Sequence, residues 1–387
     1  MTTQLRVAMI GHGFMGAAHS VGWRQAPAAF DLPAQPVMSV IVGRRADSTQ
    51  QSARSWGWHE TSTDWRETIA RDDIDIVDIV TPGDTHAEIA IAALAAGKHV
   101  LCEKPLANTV EEARRMADAA AGAAAAGIRS MVGFTYRRVP AVTLMRDMIA
   151  DGRIGAVRQV RAGYRQDWLA DAEAPMTWRL DKDRAGSGAL GDIGAHAIDM
   201  CRFVTGQQLT SVSGVVETLV KERPLLGETV GLGGTAGQGR GTVTVDDVAL
   251  FAARLESGAL ASFEATRFAT GRKNALEIEI SGERGALHWN LEDMNSLHSY
   301  DATADAASRG FTRILVTEPE HPYLSGWWPA GHMLGYEHGF SHQVKDFVEA
   351  IAAGEQPAPG FDDGLRVQRV LDAVVRSSNN GSAWTEA

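Results

Sequence analysis

Asp192 and His196 are the side chains in this sequence best suited to moving a proton. They lie four residues apart in Ala185-Gly186-Ser187-Gly188-Ala189-Leu190-Gly191-Asp192-Ile193-Gly194-Ala195-His196-Ala197-Ile198-Asp199-Met200, an otherwise small and apolar stretch. If the segment is helical from Gly188, that spacing puts both on one face. A carboxylate one turn from an imidazole fixes its tautomer and raises its basicity, as a general acid/base near neutral pH requires. The glycines leave room for a ligand. The plainer alternative is a buried helix in which Asp192 caps a neighbour and His196 is a satisfied core histidine. What separates the two is whether the chain also supplies a cofactor site and a further polar group.

The upstream half supplies both. Leu5 to Ile10 is a short apolar, β-branched run followed by Gly11-His12-Gly13-Phe14-Met15-Gly16 and then a helix-compatible stretch to about Gln25. In such a strand, turn and helix, Gly11 permits the tight turn, Gly13 lets backbone approach a pyrophosphate, and Gly16 lets helix and strand pack closely. The helix N-terminus then meets the phosphate charge. Alternation continues with strands expected over 37–42, 75–80, 98–102 and 128–133 and helices over 47–56, 65–70, 85–96 and 110–126, which predicts a doubly wound parallel sheet with ligands beyond the strand C-terminal ends.

Three strand ends carry unusual residues. After Val42 come Gly43, Arg44 and Arg45, where an NAD enzyme usually places a carboxylate on the ribose hydroxyls. Glycine and arginines leave space and positive charge for a 2′-phosphate, which points to NADP with NAD as the alternative; a merely solvated turn is the plainer reading. Thr81-Pro82-Gly83-Asp84-Thr85-His86 ends a second strand, and Cys102-Glu103-Lys104-Pro105 a third, exposing Lys104 toward the ligand crevice.

Length and composition bound the rest. A chain of 387 residues suits two domains, here 1–135 and 136–387. The net charge of -11 argues against a general nucleic-acid or membrane-surface role. Two cysteines imply no disulfide framework, and no apolar run reaches a membrane span, so a cytoplasmic location is expected. His332, His338 and His342 invite a metal reading, but no cysteine or carboxylate stands at firm ligand spacing and none is assigned.

Thr81-Pro82, His86, Gly97-Lys98-His99-Val100 and Glu103-Lys104-Pro105, together with Trp178-Arg179, Ala185-Gly186 and Gly188-x-x-x-Asp192-x-Gly194-x-His196-x-x-Asp199, resemble the signature of the GFO/IDH/MocA oxidoreductases. The resemblance covers essentially the whole chain. It implies an α/β protein with an N-terminal Rossmann domain and a C-terminal α/β domain built on a large, open, mostly antiparallel sheet. It makes Lys104, Asp192 and His196 the catalytic group and adds Thr81, Pro82, His86, Glu103 and Thr135 to the cofactor contacts. Thr135 stands where many members carry asparagine.

In the second half, β-rich stretches expected over 209–220, 243–255, 259–268, 275–281 and 286–289 suit an antiparallel sheet. An exposed face of that sheet, with the resemblance, suggests a homodimer or homotetramer. The glycine-rich segment 231–241 reads as a mobile loop. A base and a cofactor must face one CHOH group to oxidise a secondary alcohol. His196 is therefore expected as acid/base, Asp192 as its orienting carboxylate and Lys104 as the cation that stabilises alkoxide charge. Trp178, Arg179 and Tyr336 are expected to contact cofactor or substrate, and Tyr164 and Asp167 to contact substrate. The expected activity is hydride transfer between a nicotinamide and a sugar, inositol or related polyol. A nicotinamide-dependent glycosidase using transient oxidation and a non-catalytic sugar/NADP sensor are the alternatives.

Overall fold

The computed structural model describes residues 3–230 and 233–387. In chain order the first elements are β1 (Thr3–Ile10), α1 (Phe14–Ala29), β2 (Ala34–Val42), α2 (Ala46–Trp56), β3 (Glu60–Ser62), α3 (Trp65–Ile69), β4 (Ile76–Ile79), α4 (His86–Ala95), β5 (His99–Cys102), α5 (Val110–Ala124) and β6 (Ser130–Val132). Then come α6 (Pro140–Ala150), β7 (Val157–Arg165), α7 (Lys182–Ala185), α8 (Ala195–Thr205), β8 (Leu209–Glu217), β9 (Glu222–Val230), β10 (Gly233–Thr242), β11 (Val248–Leu255) and β12 (Leu260–Thr266). The last are β13 (Ala275–Gly282), β14 (Gly285–Asn290), β15 (Ser296–Asp301), β16 (Thr312–Leu315), α9 (His338–Ala353), α10 (Phe361–Asn379) and β17 (Thr385–Glu386).

The chain divides into two compact units, Met1–Thr135 with Gly335–Gln368, and Tyr136–Leu334 with Arg369–Ala387. Residues 335–368, expected with the C-terminal domain, thus return to the first unit. The reason is packing: Val344, Phe347 and Val348 of α9 share one buried core with Trp23 and Ala26 of α1 and Ile76 of β4. Contacts that distant in sequence leave no local periodicity to read.

In the first unit, a six-stranded sheet runs in the order β3-β2-β1-β4-β5-β6 with every pairing parallel. The strand order reverses between β1 and β4, the switch point beside which such sheets bind ligands. β4 is buried along its whole length, as helices on both sides demand, and it is apolar except for Asp78, itself wholly buried.

The second unit carries a nine-stranded sheet in the order β16-β15-β14-β13-β7-β12-β11-β8-β17, antiparallel except where β7 and β12 run parallel. β11 alternates buried and exposed residues, the mark of a sheet covered on one face. The glycine-rich 231–241 stretch, expected as a loop, is a strand from Gly233 onward, β10, paired with β9; Gly231 and Leu232 lie outside the described residues. Glycine has little strand propensity of its own, so the pairing comes from partner strand and neighbours: Arg240 of β10 pairs with Glu173 at 3.0 Å.

Candidate active site

The first unit builds its part from absences. Gly11 sits at φ +110, and a Cβ there would lie 2.9 Å from the carbonyl oxygen of Val80. That left-handed conformation suits glycine. Gly16 packs helix on turn, with a Cβ position 3.0 Å from the Gly11 oxygen, whereas nothing lies within 4 Å of the Cβ position at Gly13. The backbone at Gly13 is therefore open to a close-lying group, directly before the N-terminus of α1. This is the cradle a dinucleotide pyrophosphate fits.

At the end of β2, the Gly43 amide donates to the Ser62 carbonyl at 3.0 Å, and a Cβ on Gly43 would collide with the His12 ring and the Thr49 hydroxyl. His12 occupies the space in which a side chain at 43 would start. Burial lowers the His12 pKa, and the charges of Arg45 and Arg44 lower it further against its own backbone hydrogen bond. Both arginines are exposed. Phe14 and Tyr336 stack at 6.4 Å between ring centroids, and Met15 packs against the core beneath the turn.

The other expected cofactor residues divide by exposure. The Thr81 hydroxyl accepts from the Thr85 hydroxyl at 2.7 Å, and Pro82 caps the short turn that leads into α4. The His86 imidazole is buried between two carbonyl oxygens, Nε2 2.8 Å from that of Thr81 and Nδ1 3.1 Å from that of Pro105, so it braces the ends of β4 and β5. Thr135 is buried as well and donates to Gln343 of α9 at 2.8 Å. Glu103 points inward to His19, and Lys104 follows at the strand end, its own amide 3.2 Å from Glu103 Oε2.

The second unit builds its part from side chains. Residues 190–194 form a π-helical turn that runs into α8, not the uniform α-helix expected from Gly188. Its entry is pinned by buried Asp246, whose carboxylate accepts from the amides of Gly188 at 2.6 Å and Leu190 at 2.7 Å, and a Cβ on Gly188 would strike the Asp246 backbone. Burial pushes the Asp246 pKa up against those two donors. Such wide turns recur where a functional side chain must be aimed.

The Asp192 carboxylate emerges from this turn onto Arg267, whose Nη2 lies 2.6 Å from Oδ2. Arg267 is buried and stacks over Trp168 at 5.2 Å. Arg179 lies over the Trp178 ring at 4.5 Å; burial lowers its pKa while the charge of Asp192 opposes that and Arg267 adds to it. The cation that holds Asp192 is thus an arginine from the end of β12, which no local sequence pattern singles out. The available signal is a charged residue directly after a strand of alternating burial.

His196 meets the ring of Tyr136 at 4.7 Å and that of Tyr164 at 5.8 Å. The two phenol oxygens are 2.8 Å apart, Tyr164 donates to Asn274 Oδ1 at 2.6 Å, and Gln166 donates to the same oxygen at 2.8 Å. Tyr164 thus stands among the polar groups around His196. Asp167 is engaged elsewhere, with Lys273 at 2.7 Å and the Gly271 amide at 3.0 Å, and those partners hold its pKa low. Asp199 of the motif is buried in a two-pronged pair with Arg137, at 2.8 and 2.5 Å. Among the described residues, no three His, Cys, Asp or Glu side chains gather as metal ligands, and no helix is long and apolar enough to cross a membrane.

A glycine cradle on a doubly wound sheet, and a histidine and carboxylate delivered by a helix over a large mixed sheet, define a two-domain dinucleotide-dependent oxidoreductase. Residues 5–133 match the family model described as oxidoreductase family, NAD-binding Rossmann fold, and residues 142–288 match the GFO/IDH/MocA C-terminal domain. Levoglucosan dehydrogenase of Pseudarthrobacter phenanthrenivorans is 43% identical over 387 residues, 99% of this chain and 98% of its own. A solved oxidoreductase domain protein from Kribbella flavida is 61% identical, with a TM-score of 0.95 over 99% of each chain. Levoglucosan dehydrogenase in complex with NADH and levoglucosan is 41% identical, with a TM-score of 0.93 over 99% of each chain. The chain belongs to the GFO/IDH/MocA oxidoreductase family. It is an NAD(P)-dependent enzyme of the sugar and polyol dehydrogenase class, which sets aside the sensor reading and disfavours the glycosidase.

Proposed function

We propose that the chain oxidises one secondary hydroxyl of a neutral sugar, an anhydrosugar such as levoglucosan foremost, and that the reaction is reversible. The observation that carries this reading is the polar, aromatic surround of His196: an imidazole against Tyr136 and Tyr164, backed by Asn274 and Gln166. Hydroxyl-rich, uncharged ligands pair with such amide and phenol groups. His196 takes the hydroxyl proton. Asp192, anchored by Arg267, supplies the fixed carboxylate, and the Lys104 ammonium stabilises negative charge on the substrate oxygen. A nicotinamide bound to the cradle supplies the hydride acceptor. Gly11, Gly13 and Gly16 with Phe14, Met15 and Tyr336 would hold that dinucleotide, and Thr81, Pro82, Trp178 and Arg179 are further contacts.

For the cofactor, Arg44 and Arg45 beside a β2 end without a carboxylate favour NADP. The NADH complexes of levoglucosan dehydrogenase support NAD as the second reading. Domain roles follow the units, with the first holding the dinucleotide and the second the sugar. Leu250 lies opposite Val215 on the exposed sheet face, both about half exposed, a patch suited to pairing two copies into a dimer or tetramer.

The test is a panel of levoglucosan, glucose and myo-inositol with either nicotinamide, read by absorbance and by product analysis. Net reduction of cofactor with levoglucosan is expected, at a higher kcat/KM with NADP. No net reduction with any of these compounds refutes the sugar assignment. A preference for NAD removes Arg44 and Arg45 from cofactor choice.

A further inference from the structure

The first unit buries a charged cluster that the chemistry above does not use. His19 of α1 places Nδ1 2.9 and 3.0 Å from the two oxygens of Asp78 on β4, and Nε2 2.9 Å from Glu103 Oε1 at the end of β5. Trp23, one turn further along α1, donates its indole N–H to Asp78 Oδ2 at 2.7 Å. His19, Asp78 and Glu103 are 1%, 0% and 4% exposed. Both imidazole nitrogens face carboxylate oxygens, which only the doubly protonated ring satisfies with two donors. Gly133, at the end of β6, leaves the space, since a Cβ there would lie 2.5 Å from Glu103 Oε1.

A buried ionic cluster is a poor device for stability alone, because desolvation offsets most of its Coulombic gain. This one has an outlet. The second oxygen of Glu103 accepts from the main-chain amide of Lys104 at 3.2 Å. The chain His19–Glu103–Lys104 therefore ties the middle of α1 to the backbone that carries the lysine.

We propose that His19 is a positioning residue, acting through Glu103 to fix the backbone from which the Lys104 ammonium reaches the substrate oxygen. The proposal rests on the reading of Lys104 given above. Its consequence is that His19 serves turnover only while Lys104 is present.

The test is a double-mutant cycle of His19→Gln and Lys104→Ala in the full-length protein, with kcat, KM for levoglucosan and NADH affinity by fluorescence titration. Lys104→Ala should lose about a hundredfold or more in kcat. His19→Gln should lose roughly tenfold in kcat with KM and NADH affinity within about twofold, and the double variant should be no slower than Lys104→Ala. An equal tenfold loss in the Lys104→Ala background, or NADH affinity falling in step with kcat, overturns the proposal and leaves His19 a purely structural residue. Wild-type turnover in Lys104→Ala refutes the reading of the lysine itself, and the two failures are separate. If His19→Gln does not fold, Glu103→Asp, which keeps the carboxylate and withdraws it by one methylene, carries the same cycle with the same outcomes.

Discussion

The glycine turn of the first unit and the His196 corner of the second work by opposite means. At the turn, Gly11, Gly13 and Gly16 clear space, and what a phosphate would meet is backbone N–H and a helix end. Around His196, groups from separate segments hold one another: Tyr136, Tyr164 and Asn274 by hydrogen bonds, Asp192 and Arg267 by charge. One region is damaged by atoms added, the other by atoms removed. Each rule makes predictions that test this contrast.

Removal should have the largest effect. His196→Ala should lower kcat by about a hundredfold or more while NADH affinity stays within about twofold, because in the proposed mechanism the imidazole handles the proton and does not build the cradle. Arg267→Met removes the charge-assisted hydrogen bond to Asp192, an interaction worth about 1.5–3 kcal/mol, so kcat/KM should fall roughly ten- to a hundredfold. Arg267→Met with wild-type kinetics would take the arginine out of the site. A large loss of NADH affinity in His196→Ala would blur the division between the two regions.

Addition at the turn should have smaller and divergent effects. Gly11→Ala forces a side chain into a φ of +110 against the Val80 carbonyl. It should destabilise the fold by about 1–3 kcal/mol as well as weaken the cofactor. Gly13→Ala meets nothing in the protein, so its melting temperature should stay at the wild-type value while NADH affinity drops roughly tenfold, about 1.4 kcal/mol. Equal affinity in Gly13→Ala and wild type would mean that the dinucleotide does not lie against that backbone.

The same contrast explains how much of the molecule is legible in its sequence. A backbone-made site is written locally, since glycine spacing between an apolar strand and a helix states both the turn and its open face, and the strands and helices to residue 135 fall close to their expected places, the three-residue edge strand β3 excepted. The His196 corner is tertiary. Asp192 is found from its spacing to His196, but its arginine comes from the end of β12, 75 residues away, and the π-turn that aims it depends on Asp246 holding two amides from outside. Asp167 shows the converse, for its place just beyond β7 gives no sign that Lys273 and Gly271 engage it. His19 and Asp78 escape sequence reasoning although Asp78 interrupts the apolar run Ile76-Val77-Asp78-Ile79, a signal that a buried partner must exist.

That buried cluster also yields a prediction of another kind, one on stability against pH and not on chemistry. Burial pushes the His19 pKa down, but the Asp78 charge and the hydrogen bonds with Asp78 and Glu103 outweigh it and raise the value from the ordinary 6.5 of an imidazole to about 10. Between those values the folded state keeps a proton that the unfolded chain releases, so stability falls as pH rises through that window. The contribution is complete below about 6.5 and gone above about 10. Cys102, the other titratable neighbour, has its thiol pushed up by burial and by Glu103 and Asp78, so it stays protonated across the range. Melting curves from neutral pH to about 10 should show wild type losing on the order of a few degrees per pH unit relative to His19→Gln. Parallel curves for the two proteins would mean that the cluster takes up no extra proton on folding and that His19 is neutral in the fold.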